Sequence, residues 1–164
     1  MCIRDRFWAY VNTRLAMFSG KVSKIYRDRV FKAGEEALIQ LYLMDSENYK
    51  AAKGLVENGA GFVATEDPVL IGESEAWAEM LRSQQSNTVV SELLQQSLEE
   101  RTRHISNRIE ETLEDNEIGV LFMEPDLQVE FGKDSKIIKI CPFDPSDYLK
   151  SWQVQRKLEF QAEE

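Results

Sequence analysis

The sequence predicts a single α/β domain over residues 1–164, built on a mostly parallel four-stranded sheet with helices on both faces. Three observations carry that expectation. Short apolar or alternating stretches at about 21–28, 60–65, 117–123 and 136–141 are separated by longer helix-like patterns, an alternation that generates right-handed βαβ crossovers and a parallel sheet. Caps and turn residues punctuate most of the junctions between them. Eight Phe, five Tyr and three Trp within 164 residues supply the large apolar surface that one core of this size needs.

The elements follow in order. Phe7, Trp8, Val11, Leu15 and Phe18 recur at helical steps and predict an amphipathic helix ending near Ser19-Gly20. Lys21 to Asp28 alternates weakly and reads as the first strand. Glu35 to Asn58 is helical in pattern, in two pieces that meet at Asp45-Ser46, where a capping side chain restarts the helix, and Asn58-Gly59 stops it. Ala60 to Thr65 is a short apolar run of the kind buried in parallel sheets, and Glu66-Asp67-Pro68 then places an N-cap ahead of a proline that opens the next helix. After a polar break at Ser83 to Asn87, a long helix is predicted over about 88–115, with Leu94, Leu98, Ile105, Ile109 and Leu113 as its apolar stripe. Glu117 to Met123 is the clearest strand, Leu127 to Phe131 a short extended piece, Lys136 to Cys141 the last strand, and Asp144-Pro145 the start of a terminal helix containing Trp152.

The net charge of −9 is unevenly spread. Residues 1–34 carry eight basic and two acidic groups, residues 35–131 six and 21, and residues 132–164 six of each. An acidic middle segment repels polyphosphates and argues against a nucleic-acid partner. Cys2 and Cys141 stand alone, without a CxxC or a Cys/His spacing suited to zinc, and no apolar run reaches the roughly 20 residues of a membrane span. These features point to a soluble protein of the reducing cytoplasm. The first six residues, MCIRDR, resemble translated sequencing-adaptor DNA. Residues 1–6 are therefore expected to be an artefactual leader on a truncated native N-terminus.

Ligands of open α/β sheets bind beyond the carboxyl ends of the strands. Here those positions hold Asp28, then Glu66 and Asp67, then Glu124 and Asp126, then Cys141 and Asp144. Such a rim of carboxylates suits a divalent metal, with Asp28, Glu66 and Glu124 as candidate ligands, or a division of acid and base roles between Glu66 and Glu124. Capping alone accounts for Asp67 and Asp144, each followed by proline. On the long helix, Arg101, His104 and Arg108 share one flank that can face this rim and bind a small anionic ligand, or can form a structural ion-pair network. Arg103, Asn107, Glu110 and Glu114 fall on the solvent side and receive no role. Asn58 to Gly61 contains a GxG of the wrong polarity for a phosphate loop, and no Walker, HExxH or GxSxG signature occurs.

Three stretches carry a resemblance to a family. They are Ile25-Tyr-Arg-Asp28 with Gly34; Ser46 to Tyr49 through Glu57-Asn-Gly-Ala60 to Ala64-Thr-Glu-Asp-Pro68; and Glu100 to Leu113 leading into Gly119-Val-Leu-Phe-Met123. Over Ile25 to Phe131 the chain resembles short bacterial α/β proteins of unassigned function, whose strand equivalent to Gly119–Met123 runs into a Gly and then a His. That pattern is distantly similar to the TraB and erythromycin-esterase-like hydrolases. This sequence has Glu124 in place of the Gly and Leu127 in place of the His, so the resemblance implies a degenerate member or one that works differently.

Two functions are consistent with these residues. One is a hydrolase-like or metal-assisted enzyme with its pocket at the strand carboxyl ends. The other is a non-catalytic binding or regulatory module whose acidic surface meets a basic protein partner. Glu66 and Glu124 converging on an open cleft with Arg101 favours the first, and full pairing within a closed surface favours the second.

Overall fold

Ile25 and Tyr26 are neighbours on one strand and both are wholly buried. Successive strand side chains point to opposite sides, so both faces of that strand are covered. In the computed structural model, which describes residues 2–84 and 87–144, this strand is β1 (Val22–Arg27). The other elements, in chain order, are α1 (Ile3–Ala16), α2 (Gly34–Met44), α3 (Ser46–Glu57), β2 (Gly61–Phe62), α4 (Pro68–Ser83), α5 (Thr88–Thr112) and β3 (Ile118–Phe122). The expected α/β class is present.

The described sheet has three strands in the order β2-β1-β3, all parallel. Lys24 pairs with Gly61 on one side and with Gly119 on the other, after an irregularity between Val22 and Lys24. Gly119 sits at a close approach: a Cβ there would come within 3.1 Å of the Tyr26 ring and 3.2 Å of Leu113.

The fourth expected strand is not in this sheet. Lys136 to Cys141 is irregular, with Ile137 and Ile138 about half exposed. Its β-branched composition gives it a strand propensity, but propensity becomes a strand only against a partner edge. The described residues cluster into two compact units, one within Gly20–Ser135 and the other formed by residues 2–19 and 136–144. All three strands belong to the first of these, and 136–141 belongs to the second. In that second unit Val11 and Leu15 are the buried positions of α1, and the Phe7 ring meets Trp8 edge-on at 5.3 Å and Phe143 at 6.0 Å. The terminal helix expected from Pro145, with Trp152, lies outside the described residues.

Several junctions are built as their residues dictate. Asp45 accepts from the Glu47 and Asn48 N–H groups and so separates α2 from α3. Gly59, at φ 100°, ends α3 with its N–H on the Val56 carbonyl while the Ala60 N–H reaches Leu55, the two bonds of a Schellman stop. Asp67 caps α4 through the Val69 N–H, with Pro68 at the first helical position. The long helix ends at Thr112, short of 115, because Leu113 turns to extended backbone and the Glu117 carboxylate accepts the Glu114 N–H.

β2 is much shorter than the predicted 60–65, and the reason lies in a side chain. Val63 still donates to the Ile25 carbonyl, but the next acceptor for β1 is the Thr65 hydroxyl, which takes the Arg27 N–H at 3.0 Å. Thr65 Oγ1 itself donates to the Val63 carbonyl. The chain follows β1 while leaving the ladder.

Candidate functional site

The turns that follow the three strands are laced together at the carboxyl edge. The Asp28 N–H donates to the Phe122 carbonyl at the end of β3, and the Val30 carbonyl accepts from both Thr65 and Glu66 beyond β2. Between them Arg29 adopts left-handed backbone at φ 64°, a conformation that costs a non-glycine residue roughly 1–3 kcal/mol and persists where surrounding structure fixes it. What fixes it is visible. Its N–H donates to Glu66 Oε1 at 2.9 Å, its carbonyl accepts from Gln40, and its guanidinium pairs with Glu75 and, at 3.3 Å, with Glu124.

Glu66 is therefore where sequence reasoning placed it, but it is closed off. It is 4% exposed. Arg101, reaching in from α5 and 3% exposed, grips it with Nε on Oε2 at 2.8 Å and Nη2 on Oε1 at 2.6 Å. Arg101 Nη1 continues to the Ser74 hydroxyl at 3.1 Å, and Ser74 donates to the Ile71 carbonyl. Both carboxylate oxygens are engaged by fixed donors, and the guanidinium plane matches the carboxylate two-to-two.

The other candidates occupy separate places on the same edge. Glu124 is partly exposed and meets Arg29. Arg108 donates Nε to the Ala64 carbonyl and Nη1 to Glu111, so it ties α5 to the turn beyond β2. His104, between the two arginines, is half-buried, and its ring makes no hydrogen bond among the described residues. The wholly buried Asp28 touches the nearly buried Arg27 guanidinium. Burial pulls the Arg27 guanidinium below its ordinary range, partly offset by Glu124 and Asp45. Arg29 is also pulled down by burial, yet Glu124 and Glu75 outweigh this and raise it.

The three carboxylates nominated as metal ligands thus each face an arginine, and not one common centre. Among the described residues no group of three or more His, Cys, Asp or Glu is arranged to hold a metal ion. Comparisons with known protein families, curated proteins and solved structures find no match.

Sequence reasoning missed three participants, Arg27, Thr65 and Ser74, and one buried polar neighbour of the sheet on α3, Asn48. All but Arg27, which keeps a slight exposure, are almost wholly buried. Asn48, on the first turn of α3, is 1% exposed, and its amide atoms have no hydrogen-bond partner among the described residues. Arg27 and Thr65 adjoin flagged acids, which was the available signal; Ser74 and Asn48 gave none, since a small polar residue on a helix reads as surface. No helix among the described residues is long and apolar enough to cross a membrane.

Proposed function

We propose that this chain is a non-catalytic binding module with an acidic interaction surface, and that the Glu66–Arg101 pair serves the scaffold. One observation carries the reading. The carboxylate best placed for catalysis has both oxygens committed to Arg101 and to the Arg29 N–H inside a closed, buried network. A general base or metal ligand must offer a lone pair to an incoming group. Freeing Glu66 for that purpose leaves a buried charge unpaired, at a cost of about 3–5 kcal/mol. Arg101 and Arg108 are likewise occupied, by Glu66 and by the Ala64 carbonyl, and are poorly placed to orient an anionic substrate.

A second reading keeps the hydrolase-like expectation, and a specific observation favours it. Asn48 is buried with amide atoms that make no hydrogen bond among the described residues, while Asp28 is buried with the Arg27 guanidinium as its charge partner. Buried polar groups in native proteins are generally satisfied, and an exception calls for a reason such as a bound water, an ion or a catalytic role.

Calorimetric titration of the protein and of Glu66→Gln with Mg²⁺ and Mn²⁺ separates the two. The module reading expects no saturable heat from either protein and a lower melting temperature for the variant. Saturable binding that Glu66→Gln abolishes, with the variant still folded, overturns it.

A further inference from the structure

We infer that the partner docks in the groove between α5 and residues 126–131, and that it is a basic peptide segment carrying apolar side chains. The inference rests on the binding-module reading and assigns that module its site.

The groove has a volume of about 700 Å³ and is lined on one wall by α5 from Gln95 to Glu110 and on the other by Asp126 to Phe131. Its apolar part is furnished by Leu98, Val129 and Phe131, of which Phe131 is 38% exposed. Around these stand four exposed carboxylates, Glu99, Glu110, Asp126 and Glu130, against a single lining cation, Arg103. None of the four is in an ion pair among the described residues, and only Glu99 has a side-chain partner there, the Gln95 amide. Like-signed charges gathered along a concave wall focus potential into it, so this groove attracts cations and disfavours anionic partners.

The backbone of the second wall points the same way. Residues 128–131 belong to no ladder, and none of their N–H groups makes a hydrogen bond among the described residues. The segment is held to α5 by the Ser106 hydroxyl on the Glu130 carbonyl at 2.8 Å. An anchored stretch with open backbone donors, beside a mainly polar groove that holds a few apolar side chains, can take an extended peptide through main-chain hydrogen bonds. Fifteen helical steps from residue 95 to residue 110 span about 22 Å, the length of roughly seven extended residues at about 3.3 Å each. A segment alternating Lys or Arg with Leu or Phe sets its apolar side chains on one side and its cations on the other.

The test is fluorescence anisotropy at low salt with a labelled peptide alternating Lys or Arg with Leu or Phe. A second basic peptide has Ser and Gly in place of the apolar residues. The proteins are the parent, Glu110→Lys/Glu130→Lys, and Glu35→Lys/Glu73→Lys as an equal charge change outside the groove. The expected result is saturable binding of the first peptide, weakened roughly tenfold or more by the groove reversal and by raised salt, and changed far less by the control reversal. Equal losses from both reversals place binding elsewhere and overturn the groove while leaving the module reading intact. Equal affinity for the Ser/Gly peptide overturns the apolar requirement. No binding of either peptide by the parent overturns this partner chemistry, and the metal titration with Glu66→Gln then decides the module reading independently. Circular dichroism of each variant confirms that a lost signal is not lost folding.

Discussion

The helix α5 carries charge into two different surroundings, and the contrast is instructive. Towards the carboxyl edge of the sheet, Arg101 is buried and spends its guanidinium on Glu66 and Ser74, while Arg108 holds the Ala64 carbonyl. Along its groove side, Arg103 and Glu110 are exposed and enter no ion pair among the described residues. Charges of the first kind are paid for by their partners and organise the fold. Those of the second kind cost the fold little and remain available to something outside it.

Breaking the buried side has the largest expected effect. Arg101→Ala leaves Glu66 charged and buried without its guanidinium, and a loss of about 3–5 kcal/mol in unfolding free energy is expected. Urea denaturation checks this, with a lower midpoint at unchanged slope.

A smaller effect is expected where α5 meets β1. Tyr26 OH shares a 2.8 Å hydrogen bond with Thr112, whose hydroxyl also reaches the Arg108 carbonyl. Tyr26→Phe removes that bond and is expected to cost about 1 kcal/mol near neutral pH. Burial raises the Tyr26 phenol above its ordinary value of 10.0, opposed by the Thr112 bond that lowers it. As pH rises, the unfolded chain therefore releases this proton first. The stability held by the neutral buried phenol is complete below about pH 10 and is lost above it. Melting curves from pH 8 to 11 are expected to show a steeper alkaline decline in the parent than in Tyr26→Phe.

The smallest effect sharpens the contrast from the other side. Glu110→Lys/Glu130→Lys is expected to shift the unfolding free energy by no more than about 0.5 kcal/mol, the usual range for exposed sites. A large destabilisation would mean that the groove charges serve the fold as well.

The same contrast explains what the sequence could reveal. Hydrophobic period, caps and turn residues marked every described helix and all three strands of the sheet, and the parallel layout brought Asp28, Glu66 and Glu124 to one edge. Glu66 and Glu124 even share a residue, since Arg29 bonds one through its N–H and the other through its side chain. The facing of α5 was harder to read. Leu94, Leu98, Ile109 and Leu113 are only half-buried, whereas Val90, Ser97, Arg101 and Ile105 form the buried line. A buried arginine is invisible to a hydrophobic pattern because what permits it is a carboxylate 35 positions away. β2 was overestimated for a related reason: Thr65 looks like a strand residue, and only its hydroxyl's place against the Arg27 N–H shows that the ladder has ended. Lys136 to Cys141 has the composition of a strand, and composition does not say which edge, if any, it joins.

A double-mutant cycle on Glu66→Gln and Arg101→Met, read as unfolding free energies, asks most directly whether the buried pair belongs to the scaffold. Each single substitution is expected to cost about 3–5 kcal/mol, with the double variant at least about 2 kcal/mol more stable than the two losses added together. Additivity to within about 0.5 kcal/mol would contradict this: the two charges would then not depend on each other, and Glu66 would be free for chemistry.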